Sequence, residues 1–104
     1  MYKLIDQVNV VRSKNSGPYE LTFDLMFKDE EHFAAFVAKN TMTPQAFAAL
    51  YGIDVEMVKS VISFAPAKAV KITIIRPMAS GDLGEKDIYG AQQHSPLLSF
   101  KYEL

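Results

Sequence analysis

The clearest pattern in the chain runs over residues 19–27. Leu21, Phe23, Leu25 and Phe27 alternate with Glu20, Thr22, Asp24 and Met26, the period of two that a half-buried strand imposes. The last residues repeat it, with Leu98, Phe100, Tyr102 and Leu104 on one side and Ser99, Lys101 and Glu103 on the other, which predicts a final strand. Residues 8–11 are rich in valine and predict a first strand, while 4–7 could form a helical turn before it. Between these segments the period changes. Asp29 can cap a helix whose Phe33, Phe36 and Val37 fall at i, i+3 and i+4. Thr43 and Pro44 read as a cap and a first-turn proline; Phe47, Leu50 and Tyr51 repeat the helical spacing, and Gly52 suits a left-handed stop. Asp54 can cap one further short helix through Val58. Residues 61–64 and 69–75 predict two more strands, broken at Pro66 because proline cannot serve a central ladder. The sum is an α+β sandwich: one antiparallel or mixed sheet of about five strands with two or three helices on one face.

Length and composition narrow the class. A chain of 104 residues forms one domain, 1–104, and can bury roughly 65% of its extended surface, enough for a core without staples. Apolar residues make up 49% and charged residues 22%, which argues against disorder. The absence of cysteine excludes a disulfide scaffold, a thiolate metal site and a cysteine nucleophile. Eleven basic and twelve acidic residues leave a net charge of −1, and the basic residues do not interleave with aromatics along one face. Neither a nucleic-acid partner nor a polybasic membrane contact is expected. No apolar run approaches the ~18 residues of a membrane span, and Asp6 interrupts the apolar start that a secretory signal needs. The expectation is a soluble, cytoplasmic protein.

Two polar segments carry the candidate chemistry. The first, residues 12–18, holds Arg12, Ser13, Lys14, Asn15, Ser16, Gly17 and Pro18 and reads as a turn between the first two strands. Backbone N–H groups in a glycine-containing turn can cradle an anion. The guanidinium of Arg12 fits a carboxylate or phosphate as a fork, and Lys14 adds a compact charge. The same composition also serves an ordinary hairpin turn. The second, residues 76–96, is a connection of about 20 residues, long for so small a domain. Gln92, Gln93 and His94 place two amides beside an imidazole that can move a proton near neutral pH. The plain alternative is that the amides satisfy loop backbone and His94 lies at the surface. Asp82, Asp87 and His94 lack a recognised ligand spacing, so neither a metal nor another cofactor is expected. His32, in the first turn of its helix, is assigned a solvated or dipole-related role. Asp24 reads as an exposed strand residue, or as an acid–base group should its side of the sheet face a pocket.

The string of residues 11–24, together with Arg76-Pro77, Ser80-Gly81-Asp82 and residues 89–98, resembles a small bacterial family of uncharacterised proteins. That family is in turn similar to the ferredoxin-like module of acyclic terpene utilisation (AtuA-like) proteins. The resemblance implies a ferredoxin-like-type sandwich. In such a sheet the first strand and the strand ending at Ile75 would run parallel and adjacent, so that the turn after Val11 and the loop after Arg76 share one end. It also implies a small subunit working with a larger AtuA-like protein encoded nearby, in breakdown of carboxylates or CoA thioesters. Two functions are carried forward. One is an accessory or binding subunit, with possible homo-oligomerisation, that holds an acidic small molecule through Arg12, Ser13, Lys14, Asn15, Gly17, Arg76, Gln92 and Gln93. The other is a lyase, hydratase or isomerase on such a substrate, with His94 as acid or base, Arg12 and Lys14 on the anion, and Gln92 or Asn15 polarising a carbonyl.

Overall fold

A computed structural model describes residues 1–17, 19–75 and 95–104, with the side chains of 10, 12, 15–17 and 95 outside the description. The elements follow in the order β1 (Tyr2–Lys3), α1 (Leu4–Gln7), β2 (Val8–Gly17), β3 (Glu20–Phe27), α2 (Glu30–Ala38), α3 (Pro44–Tyr51), β4 (Val58–Phe64), β5 (Ala69–Ile75), α4 (Ser95–Leu98) and β6 (Lys101–Tyr102). Short 3-10 turns at Val55–Met57 and Ala65–Ala67 lead into β4 and β5. The class is α+β with antiparallel pairing throughout.

The helix boundaries follow from local chemistry. The Asp29 carboxylate accepts the N–H of His32 at 2.7 Å, and the Thr43 hydroxyl accepts that of Ala46 at 3.0 Å. Each satisfies one of the donors that a helix start leaves free. Pro44 follows the cap in the first turn, and Gly52 ends α3 at φ 66°, a conformation that costs little without a Cβ. Asp54 precedes the 3-10 turn without a side-chain capping bond. Pro66 occupies the turn between β4 and β5, where its missing N–H breaks no ladder.

Among the described residues, four strands form the main sheet in the order β2-β3-β5-β4. β3 and β4 both run antiparallel to β5, so they are parallel to each other with β5 inserted between them, and α2 and α3 form the connection. This is a split strand–helix–strand unit. Leu21, Phe23, Leu25 and Phe27 of β3 and Val70, Ile72 and Ile74 of β5 turn their buried side chains to the helices. There Phe23 meets Phe47 at 5.2 Å between ring centroids, and Phe27 meets Phe36 at 4.8 Å.

Three expectations change. Residues 12–17 are not a turn: they extend β2, and their partners run from Arg12↔Asp24 to Gly17↔Glu20. β2 and β5 are parallel and end on either side of Glu20, as anticipated, but β3 separates them. The last strand is short. Ser95–Leu98 is a helical turn instead, with Leu97 fully buried and Leu98 exposed; Pro96 suits such a turn, and its carbonyl accepts the Ser99 hydroxyl at 3.2 Å. β6 then pairs with β1, Tyr2 opposite Tyr102, as a separate two-stranded ladder.

Candidate functional site

The pleat sends alternate residues of each strand to opposite sides, and the register lines them up across the sheet. On the side away from the helices, three rows follow from the pairing. One carries Met26, Ala69 and Phe64; the next Asp24, Lys71 and Ile62; the third Lys14, Thr22, Thr73 and Ser60. The face thus grades from apolar, through charged, to hydroxyl-bearing.

A concavity of about 540 Å³ lies on this face. Its apolar wall is Met26, Ile62, Phe64, Ala67 and Ala69, and its polar groups are Lys14, Asp24 and Lys71. The volume falls within the range of small-molecule sites, roughly 300–1,000 Å³. A second cavity, on the helix side between α2 and β4, encloses only about 200 Å³. Lys14 and Lys71 are exposed, whereas Asp24 and Thr22 are buried, at 7% and 4% of their surface accessible. Asp24 is therefore not the exposed strand residue expected; the reading in which its side of the strand meets a pocket is the one observed. Two exposed ammonium groups beside an apolar wall can receive an anion with an apolar body, and the buried carboxylate of Asp24 lines the same concavity.

The candidate residues of the first segment divide by strand parity. Arg12 and Lys14 hold register positions on the side of Asp24. Ser13, opposite Phe23, and Asn15, opposite Leu21, hold positions on the helix side. Gly17 ends the strand beside Glu20. The fold thus brings Lys14 into the concavity. Arg76, Gln92, Gln93 and His94, like Asp82 and Asp87, lie outside the described residues. Lys71, Ile62 and Phe64 belong to the concavity and were not singled out by composition or motif. The alternation of β4 and β5 carried the signal, but only the pairing register shows that it converges with β2.

His32 also departs from its expected solvated role. Its Nε2 lies 2.6 Å from the Tyr102 hydroxyl, and its ring packs edge-on against Tyr2 at 4.8 Å. It latches α2 to the paired chain ends. Burial, with the neighbouring Tyr2 adding to it, raises the Tyr102 pKa to about 12. Burial raises the Tyr51 phenol further, against the opposing pull of a hydrogen bond with the Leu97 backbone. Both phenols are thereby held neutral beyond the ordinary range of a tyrosine. Among the described residues no helix is long and apolar enough to cross a membrane.

No curated protein and no solved structure matches the chain. One family profile does, over residues 4–101. That span takes in both polar segments, the whole four-stranded sheet and the α4 turn, so the chain belongs to the family described as a domain of unknown function, DUF4387.

Proposed function

We propose that this protein is a small accessory subunit that captures an acidic, partly apolar small molecule on the open face of its sheet and works with a larger AtuA-like protein in carboxylate or CoA thioester breakdown. The observation that carries the reading is the concavity in which exposed Lys14 and Lys71 flank an apolar wall ending in Ile62 and Phe64. An anion would rest against the ammonium groups while its hydrocarbon part covers the wall, with Arg12 at the register position opposite Asp24. The split unit formed by β3, α2, α3 and β4 around β5 supports kinship with ferredoxin-like sheets, which are built from such units. The accessory role rests on the resemblance and on a concavity whose chemistry is that of holding rather than of turnover.

The test is calorimetric titration of the protein with medium-chain carboxylates and with their neutral methyl esters. The carboxylates should bind and the esters should not. Lys14→Ala combined with Lys71→Ala should weaken binding at least tenfold, equivalent to about 1.4 kcal/mol. Equal binding of acid and ester, or of parent and double variant, would sink the anion site. Co-expression with the AtuA-like neighbour, followed by size-exclusion chromatography with light scattering, tests the subunit role separately. A stable mixed complex is expected, and two independent elution peaks would remove that role.

A further inference from the structure

We propose that β4 docks a second copy of this chain, the two β4 strands pairing antiparallel about a two-fold axis to join two four-stranded sheets into one of eight. The two edges of the main sheet are built differently. β2, at one edge, carries register irregularities at both ends, between Val8 and Val10 and between Asn15 and Gly17, and includes Arg12 and Lys14. Bulges and cations are the devices that keep an edge from pairing with another chain. β4, at the other edge, has one irregularity, between Val58 and Ser60, and then runs regularly to Phe64 without a proline. Among the described residues it pairs only with β5.

Its one charge is Lys59, held by Glu20 of the same chain at 2.6 Å. Residues 60–64 are neutral and expose large apolar groups, Ile62 at 55% and Phe64 at 60% accessible. On the helix side, Val61 and Ser63 stand over the cavity of about 200 Å³. Among the described residues the edge is thus open to an added strand along its backbone and apolar on its outer face.

Charge identifies the occupant. A strand paired antiparallel with its own copy carries its start beside the copy's end. The two Lys59 ammonium groups then sit at opposite ends of the contact, and no like charges face each other. The same pairing through β2 would set a strand containing Arg12 and Lys14 against itself. Such a contact is isologous and closes at two copies, while the blunted β2 edges stop the sheet from growing into a fibre. Edge pairing sets Ile62 and Phe64, the far wall of each concavity, beside the copy's β4, so the seam adjoins the open face.

The experiment uses the full chain. Light scattering across a concentration series should give twice the mass of one chain, falling towards one chain on dilution. Ile62→Lys and Phe64→Lys, both at exposed positions, should each give a single-chain mass while still melting in one cooperative step, at a temperature that no longer depends on concentration. Because the chain has no cysteine, a pyrene label at Ser63→Cys reports position independently of those variants. It should show excimer emission in the parent background, and the same label at Lys14→Cys should not. A single-chain mass at every concentration overturns the proposal, including one accompanied by capture of a different protein through β4. So does a dimer that survives both lysine substitutions, or excimer emission from Lys14→Cys and none from Ser63→Cys.

Discussion

The two sides of the main sheet use the same strands for different ends. On the helix side, Phe23 lies against Phe47 and Tyr51 at 5.2 and 5.4 Å between ring centroids, and Ile72 and Ile74 are fully buried. On the other side, one residue along, Asp24 and Thr22 are buried among lysines and an apolar wall that remains largely exposed. A side chain on the first face contributes by excluding water and filling space. One on the second contributes through charge and shape to whatever binds there. Adjacent residues of β3 should therefore fail in different ways when replaced.

The largest effect is expected from Phe23→Ala. Removing a fully buried phenyl ring from this aromatic stack costs about 3–5 kcal/mol through lost transfer energy and the cavity left behind. Set against roughly 5–15 kcal/mol for a whole domain, the loss should move the urea midpoint sharply downward, and ligand binding should fall only as the folded fraction falls. Asp24→Asn should be milder and should separate the two faces. It removes a buried carboxylate that neighbouring groups are arranged around, at a cost of about 1–3 kcal/mol. It also removes a negative charge from the concavity, so an anionic ligand should bind more tightly to the variant that is still folded. Weaker binding together with lower stability would mean that Asp24 positions the lysines rather than merely opposing the ligand's charge.

How far the sequence carries the same contrast depends on the distance over which each feature is decided. Asp29, Thr43, Pro44 and Gly52 act within one turn, and the helix boundaries they imply are those observed. The alternation in β3 is equally local. β2 is different: Ser13, Asn15, Ser16 and Gly17 have the composition of a turn, yet the ladder to β3 supplies hydrogen bonds that hold them extended. Local preference lost to tertiary pairing there. Parity placed Asp24 on the less apolar side of its strand, but whether that side meets water or a groove depends on what β4 and β5 set beside it. The link from His32 to Tyr102 spans 70 residues and rests on β6 pairing with β1. No periodicity in either segment announces it. The concavity was therefore half legible: Lys14 by its chemistry, Lys71, Ile62 and Phe64 only through register.

The smallest effect at neutral pH, and a direct probe of how dry the helix side is, comes from the tyrosines. The chain has five. Tyr102 has its pKa raised to about 12 by burial and the neighbouring Tyr2, and Tyr51 is raised further by burial, from an ordinary value of about 10. A raised pKa on an acid means that the fold favours the neutral phenol. Its contribution to stability is fully present below about pH 10 and is lost as pH rises from there through the folded value. Absorbance at 295 nm should show two phenols ionising well above the ordinary value, and their late ionisation should coincide with loss of the helical circular dichroism signal. Tyr102→Phe should remove one late-titrating group and forfeit the hydrogen bond with His32, while anion binding on the open face stays unchanged at pH 7. If Tyr51 and Tyr102 ionise near the ordinary value while the protein is still folded, the helix side is wetter than its packing implies, and the contrast between the two faces narrows to charge alone.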